Sequence, residues 1–335
     1  MYKDSISKIA KKIQINNASI MVTGATGLIG SCIIDTLIAA NESGSNNIIY
    51  GLSRSESKIR AKFGNKVIPI IKDIIEPLEK NKYDYIIHCA SNADPRSYSI
   101  YPVETILTNI IGNKNVFEYC RYNPSTKILL TSSFEVYGSI DGVSLYNENM
   151  SGIIDQTILR NGYPESKRCC ELLLRSYVDE YNINAVIARL PSVYGPRMLK
   201  NDSKAHAQFI RNALNKENIV LKSKGEQTRT YCYVVDVVSA IFMVLEKGKK
   251  GEIYNVSYEN SIASIADVAK TCAEIAGTKV VFECPDEIEA KGFSNSQDCI
   301  LDNKKLKAIG WEGKYSLYDG LKETIETLRV YDSYL

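Results

Sequence analysis

The chain has little with which to hold a metal ion or to cross a membrane. It carries only two histidines, His88 and His206, and no apolar run approaches the roughly 20 residues that a bilayer-spanning helix needs. Charge of one sign is also lacking. Lys and Arg total 41 against 39 Asp and Glu, so no basic surface marks nucleic acid as a partner. Nine cysteines, an odd number, are scattered through apolar segments, and the adjacent Cys169 and Cys170 have no Cys-x-x-Cys spacing. That usage suits reduced thiols in a cytoplasmic protein better than a disulfide framework or a zinc site. No metal is expected. Residues 1–17 lack the apolar stretch of a secretion signal and read as a short amphipathic helix.

What is present is ordinary for a soluble enzyme. Hydrophobic residues make up 44% and charged residues 24% of 335 positions, long for one domain and comfortable for a large nucleotide-binding domain with a smaller appendage. Apolar strands and helices alternate through the first half. Strands are expected at 19–23, 47–52, 67–71, 85–90, 127–132 and 185–189, with helices at 28–40, 103–121 and 163–181. Repeated βα units of this length build a doubly wound parallel sheet of the Rossmann type. After Pro191 the pattern loosens, with a helix expected at 203–215, short strands at 219–222 and 230–234, a helix at 237–247, a strand at 253–256, and two helices between 264 and 328. The expected division is a dinucleotide-binding domain over 1–190 and a smaller C-terminal α/β substrate-binding domain over 191–335, with interleaved segments.

The first strand ends in Thr23-Gly24-Ala25-Thr26-Gly27-Leu28-Ile29-Gly30. Gly24 permits a tight turn, Gly27 lets backbone approach a pyrophosphate, and Gly30 lets helix and sheet pack closely. A helix opening there offers free N–H groups and a positive dipole end to a diphosphate. Thr26, Leu28 and Ile29 complete this candidate dinucleotide site. The second strand runs into Ser53-Arg54-Ser55 with no acidic residue before Glu56. An arginine between hydroxyls suits a 2′-phosphate, so NADP is favoured over NAD; the alternative is a solvated surface arginine. Asp73 and Ile74, after the third strand, are candidates for the adenine, and Ala90, after the fourth, for the cofactor pocket.

Tyr163 and Lys167 share one face of a helix, one turn apart. The lysine charge is expected to favour the phenolate and make a base near neutral pH. Of 22 tyrosines, the only other with lysine four residues on is Tyr318, ahead of Lys322, and it lies far from the glycine turn. Tyr163 follows the fifth strand, which ends in Ser132-Ser133-Phe134-Glu135-Val136-Tyr137-Gly138.

This arrangement resembles the extended short-chain dehydrogenase/reductase family, the NAD(P)-dependent nucleotide-sugar epimerases, dehydratases and decarboxylases. The resemblance covers nearly the whole chain. It includes His88-Cys89-Ala90, Pro102-Val103-Glu104-Thr105 leading to Asn109, Gly112 and Asn115, Val193-Tyr194-Gly195-Pro196, and Gln227-Thr228-Arg229-Thr230-Tyr231 ending in Asp236. It implies a nucleoside-diphosphate sugar as substrate and oxidation of its C4 hydroxyl to a transient ketone. Ser133 would hydrogen-bond that hydroxyl, Tyr163 would take its proton, Lys167 would also hold the nicotinamide ribose, and Arg229 would pair with the substrate diphosphate.

Glu135 stands where dehydratases and decarboxylases of the family often carry a glutamate. Together with Gly195-Pro196-Arg197-Met198 and Lys167-Arg168-x-x-Glu171 it makes the spelling closest to the UDP-glucuronate decarboxylase and dehydratase branch. The implied outcome is C5 chemistry, by 4,6-dehydration or decarboxylation; 4-epimerisation and net NADPH-dependent reduction are the alternatives. Glu135 could instead be a structural carboxylate capping a helix. Two departures stand out: Phe134 replaces a Ser, Thr or Asp, and Ser192 replaces an Asn expected to contact the diphosphate. The sugar pocket is expected around Phe134, Phe293 and Asp94 to Ser97. The resemblance also implies a homodimer, paired through the two long helices, and a place in polysaccharide precursor synthesis.

Overall fold

The computed structural model describes residues 1–79, 81–285 and 297–330. Seven parallel strands form its centre: β1 (Ser19–Thr23), β2 (Ile48–Ser53), β3 (Ile68–Ile71), β4 (Tyr85–His88), β5 (Lys127–Ser133), β6 (Asn184–Leu190) and β7 (Ile253–Asn255). Their order across the sheet is β7-β6-β5-β4-β1-β2-β3. The order reverses at β1, where Thr23 lies opposite Leu52 of β2 and His88 of β4. A crevice opens beyond the carboxyl ends of strands at such a switch point.

The strands are apolar on both faces because both faces are covered. Side chains alternate along each strand, so Ile20 and Val22 share one core with Ile87, Leu129 and Val186, and Met21 shares the other with Ile86, Ile128 and Leu130. The first core is closed by α1 (Tyr2–Ala10), α2 (Leu28–Glu42) and the helix Val234–Lys247, the second by α5 (Pro102–Tyr122) and α6 (Gly162–Tyr181). Helix α1 ties the chain's beginning to its end, with Ser5 Oγ donating to Glu323 at 2.7 Å.

Two short helices in the first half of the chain lie where the sequence pattern predicts none, α3 (Glu56–Phe63) and α4 (Pro95–Ile100). Both begin with a capping signal. Ser55 Oγ accepts from the Lys58 N–H, and Asp94 accepts from the Ser97 N–H ahead of a proline in the first turn.

After β6 the chain leaves the sheet and then returns to it. Strand Ser192–Tyr194 pairs in parallel with Thr228–Tyr233, which pairs antiparallel with Ile262–Ser264. The helix Val234–Lys247 then packs back on the main sheet, and β7 adds to its edge beside β6. Segments of the three-stranded sheet and of the main sheet thus alternate along the chain. Residues 286–296, including Phe293, lie outside the described residues.

Candidate active site

The turn after β1 is closed by contacts that leave no room for side chains. Gly24 has φ of +65°, and a Cβ on Gly30 would lie 2.3 Å from the Gly24 carbonyl oxygen. Gly27 is the N-cap of α2 and offers no side-chain cap, so the first N–H groups of that helix remain available to an anion. Thr23 supports the facing turn. Its Oγ1 accepts from the Cys89 and Ala90 N–H groups, both at 3.1 Å, and stands 2.6 Å from His88 Nδ1. With both acceptances made, its proton goes to that nitrogen. Burial pushes the His88 pKa down to about 3, so the ring is a neutral strut and no titrating acid. This cradle fits a dinucleotide diphosphate.

The remaining cofactor candidates line the same edge. Thr26 and Ser53 hydroxyls stand 3.4 Å apart, bridging the ends of β1 and β2. Arg54 is exposed and reaches to 3.8 Å from Asp73 at the end of β3. Ile74 is buried against Gly112 of α5, with its carbonyl accepting from Asn115 Nδ2 at 3.1 Å. Leu28 and Ile29, in the first turn of α2, are partly buried against the first core.

Tyr163 and Lys167 are both buried. The Lys167 ammonium donates to the Thr131 carbonyl at 3.2 Å, and burial lowers its pKa. The expected lysine-driven depression of the tyrosine does not dominate. Burial, and then the Glu135 charge, push the Tyr163 phenol above its usual value, against hydrogen bonds from Ser133 and Ser91 and the charge of Arg160. The Ser133 hydroxyl also accepts the Glu135 N–H at 3.2 Å. This binds the end of β5 to the 3-10 turn Phe134–Tyr137. From α6, Arg168 donates to the Val136 carbonyl at 2.7 and 3.0 Å and to the Gly152 carbonyl at 3.1 Å. The helix that carries the tyrosine therefore also fixes the turn that carries Glu135.

Glu135 is paired, and its partner was not expected. Its Oε2 accepts from the Arg160 guanidinium at 2.8 Å, with the side chains 15% and 7% exposed. The same guanidinium lies 5.2 Å from the ring centroid of Tyr98. Tyr98, from the unanticipated α4, stacks on the Tyr163 ring at 4.7 Å and 15°. Its hydroxyl stands 3.5 Å from Glu135 Oε1. No spacing rule would have found Arg160 or Tyr98. The only trace of Arg160 is a basic residue three positions before the tyrosine.

The substrate candidates divide. Phe134 is partly buried, and the Arg229 guanidinium sits 5.4 Å from its ring centroid while also donating to Gln227 Oε1 at 3.3 Å. Ser192 starts a strand and pairs in register with Tyr231, two residues from Arg229. Asp94 is engaged structurally: one carboxylate oxygen caps α4, and the other accepts from Ser203 Oγ at 2.5 Å and Ser203 N–H at 2.9 Å.

The chain is 32% identical over 324 residues to UDP-glucuronic acid decarboxylase 6 of Arabidopsis thaliana, covering 94% of this chain and 90% of that one. The UDP-glucose 4-epimerase of Thermotoga maritima, solved with UDP-glucose, matches with TM-score 0.80 and 26% identity over 93% of this chain and 99% of its own. The dTDP-glucose 4,6-dehydratase of Bacillus anthracis, solved with NAD, matches with TM-score 0.78 at 21% identity over 95% and 98%. The family model for NAD dependent epimerases and dehydratases matches residues 20–257. With the glycine cradle at the switch point and Tyr163 and Lys167 beside it, the chain belongs to the NAD-dependent epimerase/dehydratase family.

Proposed function

We propose that this enzyme decarboxylates a nucleoside-diphosphate uronic acid. Tyr163, hydrogen-bonded through Ser133, takes the proton of the sugar C4 hydroxyl. The bound nicotinamide supplies a hydride acceptor for C4 and a donor that returns it. Lys167, fixed by the Thr131 carbonyl, stands one helical turn away to hold the ribose. The ketone at C4 makes the C5 carboxylate a β-keto carboxylate, which loses carbon dioxide as the C5–carboxyl electron pair moves toward the ketone. A proton from solvent then adds at C5, and the returned hydride reduces C4 as Tyr163 gives its proton back to the oxygen.

The observation that carries this choice among C5 reactions is the ion pair of Glu135 with Arg160, next to Phe134. Expelling a C6 hydroxyl calls for a proton donor at that end of the sugar. Phe134 has no proton to give, and a carboxylate committed to an arginine is an acceptor. Loss of carbon dioxide needs no acid. The decarboxylase relatives support the same reading. The test is carbon dioxide release from a panel of nucleoside-diphosphate hexoses and uronic acids. Release from a uronic acid alone is expected, and none from any member would overturn it. The second reading, 4-epimerisation, is favoured by the apolar Phe134 alone, which offers a carboxylate no hydrogen bond.

Either dinucleotide can be accommodated, with Arg54 favouring NADP through a 2′-phosphate. Two copies pair through α5 and α6, on which Val103, Leu107 and Leu172 are 61%, 47% and 66% exposed. Sedimentation at micromolar concentration should give a dimer, and Leu107→Glu a monomer.

A further inference from the structure

The buried side chain least explained by that reaction is Arg160. It is 7% exposed, it comes from the short turn before α6, and its Nε is a buried nitrogen with no hydrogen-bond partner among the described residues. Its one strong contact is Glu135, and its guanidinium carbon lies 5.2 Å from the ring centroid of Tyr98, whose ring stacks on the catalytic phenol. Four side chains from four segments, Arg160, Glu135, Tyr98 and Tyr163, therefore form one packed unit.

We propose that Arg160 is a positioning residue, which neutralises the Glu135 carboxylate beside Tyr163, holds it through Tyr98, and so sets the pH at which the phenol becomes a base. Among the described residues, Glu135 is the one anion whose charge acts on Tyr163. The other groups around it are Arg160 itself, Tyr98 from α4, the hydroxyls of Ser133 and Ser91, and Lys167 one turn along on α6, whose ammonium is turned to the Thr131 carbonyl. His88 is held neutral by burial and by the Lys167 charge. An uncompensated carboxylate in so buried a place opposes the negative charge that Tyr163 must acquire. An ion pair in the same place does not. A carboxylate close to the base is thereby made compatible with oxidation at C4. This inference rests on Tyr163 being the base but not on decarboxylation, since oxidation at C4 precedes each outcome.

The direction of the effect is specific. Removing the cation should raise the Tyr163 pKa, and removing the anion should lower it. A role in folding alone would move neither in opposite senses. The measurement is NMR of the cofactor-loaded protein labelled with ¹³Cζ-tyrosine, the Tyr163 signal being assigned by its loss in Tyr163→Phe. Arg160→Gln should shift its titration upward by about one unit or more, Glu135→Gln should shift it downward, and the double variant should fall between them. Arg160→Lys should restore most of the shift. Turnover with the best substrate should fall about tenfold or more in Arg160→Gln at neutral pH, in kcat more than in KM. Shifts in the same direction, or none in Glu135→Gln, would overturn the proposal. So would a loss confined to KM for an anionic sugar, which would make Arg160 a substrate ligand. Glu135→Gln is nearly isosteric, so it carries the test if Arg160→Gln does not fold. The titration needs no substrate, and its result is separate from the fate of the decarboxylation reading.

Discussion

The two sides of the crevice are built from different materials. On the cofactor side the parts are backbone: glycines at a strand–helix turn, the open first turn of α2, and the N–H groups after β4 held by Thr23. On the sugar side they are long side chains that meet from separate segments, Glu135 with Arg160, Arg229 over Phe134, Asp94 with Ser203. A backbone cradle recognises what every dinucleotide shares, so it can be common to many enzymes. Side-chain contacts that bridge segments can be exchanged a residue at a time, which lets one reaction diverge from another on a shared fold. In the proposed reaction the cofactor side serves the first step, and the sugar side the second.

The largest break between the two sides comes from Tyr163→Phe. Turnover should fall roughly 10³-fold, the scale of a lost general base, while cofactor affinity measured by fluorescence titration stays nearly unchanged. Gly30→Ala should do the reverse at its source. Its Cβ would stand 2.3 Å from the Gly24 oxygen, so cofactor binding is expected to be lost. If Tyr163→Phe kept its turnover, the division of labour would be wrong.

Next comes a pair that supports the sugar side without touching it. Arg189 and Glu171 are bound through two guanidinium nitrogens at 2.6 and 3.0 Å, both buried, with Tyr137 4.6 Å below the guanidinium. Arg189→Ala leaves a buried carboxylate uncompensated and should destabilise the fold by about 3–5 kcal/mol. Denaturant unfolding at pH 7 checks it, and a loss below about 1 kcal/mol would contradict the burial of that pair.

A smaller effect is expected at Asp236, which joins the helix Val234–Lys247 to the C-terminal segment by accepting the Lys314 and Tyr315 N–H groups at 2.8 and 2.9 Å. Burial pushes its pKa up from 3.8 to about 6. The folded chain thus holds this proton more tightly than the unfolded chain does. The contribution is full below about pH 4 and is lost as pH rises through 6, a swing of roughly 3 kcal/mol. Asp236→Asn keeps an oxygen for both N–H groups and should raise Tm at pH 8 while flattening that swing. A lower Tm at pH 8 would refute it. The smallest effect is at exposed Arg54, where Arg54→Gln should lower the preference for NADP over NAD only by about tenfold. Equal affinities in the parent would make Arg54 the surface arginine of the alternative reading.

How far the site was legible follows the same division. The sheet and cradle could be read because short continuous apolar runs and glycines forced by close approach are local signals. Tyr163 and Lys167 share a helix, so their spacing carried them. The Glu135 partner could not be read, because Arg160 is 25 residues away in sequence and the contact exists only after the turn before α6 folds against α4. The resemblance makes Asp94 a candidate for the sugar pocket, although Asp94-Pro95 is also a helix-start signal. Its carboxylate is engaged as that signal implies. The expected effect of Lys167 on Tyr163 came from spacing alone, and spacing says nothing of burial, which acts the other way.

The most direct test of the central claim is the mass of the product formed from a nucleoside-diphosphate uronic acid in deuterated water. Decarboxylation through a C4 ketone predicts loss of carbon dioxide with one deuterium retained at C5. A product of unchanged mass, free of deuterium and altered only in chromatography, would mean that hydride merely leaves and returns at C4, and that Glu135 and Arg160 do not serve C5 chemistry.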